Sequence, residues 1–220
     1  EQFFEQGTLH DHQLREGLRE AVRAGRIFPV LCASAYHNIG SDLLLNFLVD
    51  YLPSAVDRGR VTGHSSPDGG DAVTRKVADS EPVSLFVFKT AADPFAGRVS
   101  YFKVYSGVLK NDANLANFNK GQAERLAHIM VAQGKEHHGV QELRAGDLGL
   151  VTKLKDTLSG ETLGEKAAPI IYPPVKLPEP AIAFAIQPKS RSDEDRLWQA
   201  IHRVLEEDPA LRFYRDPQTK

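Results

Sequence analysis

The chain of 220 residues holds one cysteine (Cys32), one methionine (Met130) and one tryptophan (Trp198). A single cysteine excludes an internal disulfide and fits a reducing compartment, so a cytoplasmic location is expected. No apolar run approaches the roughly 20 residues that a membrane-spanning helix needs. The opening Glu1-Gln2-Phe3-Phe4-Glu5 lacks the basic start and apolar core of a secretory signal. The chain also lacks an initiating methionine, and an excised piece of a longer protein is the expectation. There is no basic excess: 27 Lys and Arg stand against 29 Asp and Glu, a net charge of −2. Any contact with nucleic acid must therefore run through a local patch, and neither DNA nor a membrane is an expected partner.

What is present centres on Asp93 to Gly107. Asp93-Pro94 and Gly97 signal a turn. Val99, Tyr101, Lys103 and Tyr105 then alternate with Ser100, Phe102, Val104 and Ser106, a period of two that predicts a β-strand. Both faces carry apolar groups, so a covered sheet or a closed barrel is expected. Further strands are expected over 83–90, 114–117, 124–132, 148–154 and 167–175, separated by Gly, Asn and Asp turns.

The flanks read differently. Residues 11–24 follow helical spacing, with Asp11 and Gly25 as expected caps. Ile27 to Cys32 reads as a buried strand, and Leu44, Leu45, Leu48, Val49 and Leu52 as the stripe of a second helix that Pro53 stops. Residues 54–81 read as a linker rich in Gly, Ser, Pro and Asp. Pro173, Pro174 and Pro178 mark another boundary. Beyond it, Ile182, Phe184 and Ile186 predict a half-buried strand, and Ser192 to Asp195 begin a helix with Leu197, Ile201, Val204 and Leu205 inward. Leu211 to Tyr214 can begin another strand. The expected divisions are 1–53, an α/β segment; 54–81, a linker; 82–177, a β-barrel; and 178–220, a partial α+β domain.

Side chains with chemistry have plain alternatives. Cys32 and His37 could form a nucleophile and base, but Cys32 lies in an apolar run and is expected to be a buried, inert thiol. His10 with His12, and His137 with His138, lack partners at structural metal spacing, so no metal site is expected. Asp147 and Asp156 fall in turn signals. No catalytic residue is assigned.

Several stretches resemble the elongation factor G family of translational GTPases. Asp93 to Leu109, Asn119-Lys120-Gly121, Glu124-Arg125, Glu142 to Gly149 and Thr157 to Leu163 resemble its second domain. Pro178 to Lys189 and Glu206 to Pro209 resemble the start of its third. Val30 to Ala35 and Leu48 to Pro53 resemble the end of its GTP-binding domain. Ala132 to His138 looks more like the elongation-factor-G-like paralogues. The resemblance implies a multidomain, mainly β chain: a translation-factor barrel flanked by an α/β remnant and a partial ferredoxin-like domain. It implies docking on RNA of the small ribosomal subunit and coupling of the GTP state to distal domains in translocation. A non-ribosomal protein-interaction barrel of a paralogue is the alternative. The resemblance makes Ser34 and Ala35 a remnant of the guanine-recognition motif. Candidates for RNA phosphate contact are Arg98, Lys103, Lys120 and Arg125. The resemblance implies GTP and Mg²⁺ as cofactors of the parent. These 220 residues contain no G-x-x-x-x-G-K-[ST] loop and no Asn-Lys-x-Asp stretch, so this chain alone is expected to bind no cofactor and to hydrolyse no GTP.

Overall fold

The computed structural model describes residues 2–93 and 97–214. It divides into two compact units, residues 1–58 and 59–220.

The first unit contains helices α1 (Gln2–Gln6), α2 (Asp11–Arg23) and α3 (Ser41–Tyr51). At the start of α2 the His10 N–H donates to Gln13 Oε1 at 2.9 Å, so His10 rather than Asp11 takes the cap position. At its end Gly25 N–H donates to Val22 O and Arg26 N–H to Ala21 O, the paired bonds of a Schellman stop. Arg19 Nε donates to the Asp50 carbonyl at 2.6 Å, tying α2 to the end of α3. Arg23 pairs with Asp57, whose carboxylate also accepts from Ser54 N–H. Those Ser54 bonds hold the Asp57 carboxyl below its usual range.

Two expectations fail in this unit. Residues 27–32 form no strand, and Phe28 and Val30 are 83% and 92% exposed. Cys32 is an exposed thiol, not a buried one. A strand exists only where a neighbour completes its hydrogen-bond ladder. None of the described residues offers these six a partner strand. The α3 stripe is open for the same reason: Leu45 and Val49 lie exposed.

The second unit is mainly β. Strands β1 (Arg60–His64) and β2 (Ala72–Lys76) form a hairpin. The other strands are β3 (Ser84–Asp93), β4 (Gly97–Ser106), β5 (Leu109–Lys110), β6 (Ala113–Asn117), β7 (Gln122–Leu126), β8 (Ile129–Gln133), β9 (Glu136–Gly139), β10 (Glu142–Leu143), β11 (Leu148–Thr152) and β12 (Thr162–Gly164). Eight of them form one antiparallel sheet in the order β7-β6-β12-β3-β4-β11-β8-β9, and β5 pairs with β10. The sheet curls around one core. Leu126 of β7 and Ile129 of β8 stand on strands far apart in the sheet order, yet both enter that core with Leu85, Phe102, Val104 and Leu163. Helix α4 (Glu194–Glu207) follows, and Trp198 on it meets the Phe213 ring edge-on at 5.2 Å.

The expected alternation in β4 holds from Ser100 onward: Ser100, Phe102, Val104 and Ser106 are buried, while Tyr101, Lys103 and Tyr105 are half-buried; Val99, expected on the face of Tyr101, is buried as well. Pro94 of the expected turn lies outside the described residues. The stretch read as linker contains the β1–β2 hairpin. Val61, Arg75 and Val77 are buried there, and Arg75 donates to the carbonyls of Ala168 and Pro82. The stretch read as one strand over 124–132 is two, β7 and β8. Residues 167–175 provide only a bridge, Ile171 with His64, because Pro169, Pro173 and Pro174 lack ladder donors. Residues 181–187 and 211–214 form no strand, and Phe184 is 83% exposed. Val204, expected inward on α4, is exposed, whereas Leu197, Ile201 and Leu205 are half-buried.

Candidate nucleic-acid interface

The four cations expected to touch RNA are scattered over the barrel. Arg98 begins β4. Its guanidinium grips Glu206 of α4 through a fork, one arm at 3.2 Å, and donates to the Lys155 carbonyl at 3.0 Å. Ala92 N–H donates to Glu207 at 2.6 Å beside it. Arg98 thus holds α4 to the β3–β4 hairpin. Lys120 pairs with Glu161 at 3.0 Å and donates to the Asp156 carbonyl. Arg125 makes two bonds to Asp112, at 2.7 and 2.9 Å, on an exposed surface. The Arg125 fork holds the Asp112 carboxyl below its usual range.

Lys103 alone of the four has no carboxylate partner among the described residues. It lies on the outer face of β4, with its ammonium 5.9 Å from the centre of the Tyr105 ring. Tyr101 and Tyr105 flank it by the period of two. Tyr105 meets Tyr172 edge-on at 4.5 Å, and Tyr101 faces Phe88 at 6.5 Å. This is a cation among aromatic faces, an arrangement that suits a phosphate next to an unstacked base. Phe102, on the opposite face, is a core residue.

Ser34 and Ala35 lie in the first unit. Ser34 exchanges backbone bonds with Ile39, at 2.9 and 3.1 Å. Its N–H is therefore already donated, and its hydroxyl accepts from His37 N–H. Ala35 is exposed.

One residue was missed in the sequence. Glu124 is 3% exposed. Its carboxylate accepts from Lys155 N–H (3.1 Å), Asp156 N–H (2.8 Å), Thr157 N–H (3.0 Å) and the Thr157 hydroxyl (2.9 Å). Burial alone would push its pKa up, but these donors outweigh burial and hold the carboxyl below its usual value. Asn117 and Glu161 extend the cluster, since Asn117 Nδ2 donates to Thr157 Oγ1 and Glu161. The stretch 119–125 therefore organises the 153–161 loop. Its available signal was the alternation of β7, which sends Glu124 inward with Leu126.

The model of elongation factor G domain 2 matches residues 82–166, and that of elongation factor G domain III matches residues 177–220. A crystal structure of a protein from Thermus thermophilus is similar at 32% identity and a TM-score of 0.79, covering 99% of this chain. The chain belongs to the elongation factor G family. Its fold is multidomain and mainly β. It spans about 30% of the length of the Thermus chain. Among the described residues no helix is long and apolar enough to cross a membrane.

Arg98 connects the two matched domains. We expect Arg98→Gln to loosen α4 by about 1.5 kcal/mol, the worth of hydrogen bonds to a charged group. Amide exchange over 194–207 then rises roughly tenfold while β6 and β7 stay protected, measured by hydrogen exchange.

Proposed function

We propose that the barrel docks on RNA of the small ribosomal subunit, and that the longer cytoplasmic protein uses it to relay its GTP state to distal domains during elongation. The observation that carries the reading is the Tyr101-Lys103-Tyr105 face on a barrel of the family's second domain. GTP and Mg²⁺ would be held elsewhere in the longer protein, with Ser34 and Ala35 lying beside the guanine. This chain contains no phosphate-binding loop, so purified protein is expected to show no GTP turnover.

Co-sedimentation with small subunits tests the docking. Binding is expected to weaken steeply with salt, and Lys103→Glu is expected to weaken it about tenfold at low salt. Binding that ignores both salt and Lys103 would overturn a phosphate-contact mechanism. The second reading, a protein-interaction barrel, draws on Arg98, Lys120 and Arg125, each engaged by a carboxylate of this chain. It is favoured if the chain never sediments with subunits.

A further inference from the structure

Strand β3 breaks its alternation where it passes the Tyr101-Lys103-Tyr105 face. Val87 pairs with Phe102 and Lys89 with Tyr101, so Phe88 is an extra residue, the mark of a β-bulge. Strict alternation would send Lys89 into the barrel. The bulge turns it outward instead, because cross-strand partners project to one face and Tyr101 lies outside. Phe88 and Lys89 are both exposed, Phe88 by 44%. The Phe88 ring stands 6.5 Å from that of Tyr101. We propose that Phe88 and Lys89 complete a binding face for RNA with an unpaired base: Lys89 and Lys103 hold phosphates of one strand, and the base stacks on Phe88. The proposal takes its class of partner from the docking reading above, and it adds two residues which that reading does not use.

Charge and shape agree on this partner. Among the described residues, no ion pair or hydrogen bond engages the Lys89 ammonium. Lys103 is flanked in register by Phe86 and Leu148, and Tyr101 by Lys89 and Leu150, so no Asp or Glu shares these positions. Glu161, whose carbonyl accepts from Val87 N–H, turns its carboxylate to Lys120 and Asn117. Further along β3, Glu206 and Glu207 are engaged by Arg98 and by Ala92 N–H. Lys89 and Lys103 are diagonal neighbours on paired strands, about 7–8 Å apart. That is close to two steps of a nucleic-acid strand at about 3.4 Å each. Phe88 is the aromatic with a free face, since Tyr105 already packs on Tyr172 and carries Lys103 over its ring. A duplex keeps its base faces in the stack, so only an unpaired nucleotide presents one to Phe88.

Fluorescence anisotropy on the 220-residue chain tests this with two probes, a short single-stranded RNA and a duplex of the same sequence. The single strand is expected to bind more tightly. Lys89→Gln lowers its salt slope by about 0.7, the value for one phosphate contact on a single strand. Phe88→Leu keeps apolar bulk but removes the stacking face. It weakens binding about fivefold or more and leaves the slope unchanged, and Phe88→Tyr restores the affinity. Lys135→Gln, at the exposed β8–β9 turn, controls for net charge and changes nothing. Thermal midpoints equal to wild type separate lost binding from lost fold. The proposal is overturned by a duplex that binds as tightly as the single strand, by binding that either Lys89→Gln or Phe88→Leu leaves unchanged, or by no saturable binding of either probe. Sedimentation with small subunits keeps the docking reading separate. If Lys103→Glu weakens sedimentation while Phe88→Leu and Lys89→Gln bind RNA like wild type, docking survives and this proposal fails. If the single strand binds through Phe88 and Lys89 but the chain never sediments with subunits, the face takes another RNA and docking alone fails.

Discussion

Glu124→Ala is expected to destabilise the barrel by roughly 3 kcal/mol, because each buried donor left without a partner costs about 1–3 kcal/mol. Four donors lose their acceptor at once. Lys155 and Asp156 are exposed, so water can recover part of their loss. Thr157 is fully buried and cannot recover. For a unit of this size the thermal midpoint falls by about 6–12 °C. Glu124→Gln keeps the shape but brings an NH2 group against N–H donors, and it is expected to lose most of the same stability. The pH dependence carries its own signature. The folded carboxyl titrates lower than the unfolded one. Its contribution is therefore complete above the unfolded value, about 4.3, and disappears as pH falls through the lower folded value. Asp57 and Asp112 are also depressed, so both proteins lose stability in acid. The difference between wild type and Glu124→Gln isolates Glu124: it should shrink as pH falls through that window. A difference that stays constant from pH 7 to pH 3 contradicts the assignment.

The same clasp shows what could be read in advance. Strand β4 was legible because period two holds from Ser100 to Ser106, whereas β3 carries register shifts at Ser84/Leu85 and Val87/Lys89 that no local pattern announces. In 54–81 the turn-rich residues at 65–71 obscured a hairpin whose inward position 75 is an arginine, and only the carbonyls of Pro82 and Ala168 make that burial tolerable. Those partners lie up to 93 residues away, beyond any local pattern. Ile27 to Cys32 and Ile182 to Ile186 have strand-like sequences but no neighbouring strand among the described residues, so propensity alone leaves them unpaired. Charge alone marks Arg98, Lys103, Lys120 and Arg125 as candidate contacts. Charge could not reveal that Arg98, Lys120 and Arg125 face carboxylates brought by Glu206, Glu161 and Asp112.

Gly107→Ala tests how the end of β4 is fixed. Gly107 has φ +75°, and a Cβ there would stand 2.7 Å from Glu81 O and from Val83 N and Cα. All three are backbone atoms, so no side chain can swing aside. Alanine in a left-handed conformation costs about 1–2 kcal/mol, and forcing apart packed backbone adds about 1–3 kcal/mol. A total of about 3 kcal/mol is expected, comparable with loss of the Glu124 clasp. Gly121 supplies the control. It has φ +71° but nothing within 4 Å of the added carbon, so Gly121→Ala should cost only the conformational part. Chemical denaturation of both variants separates the two contributions. The larger loss at 107 must come with a change on the outer face of β4. The Ser106 hydroxyl bonds to the Pro82 carbonyl and to Ser84, and Ser84 bonds in turn to Tyr172, which packs on Tyr105. Pushing Gly107 away from residues 81–83 breaks that chain and unseats the aromatic beside Lys103. If ribosomal RNA is met at that face, Gly107→Ala should weaken subunit binding even where the protein remains folded, and Gly121→Ala should not.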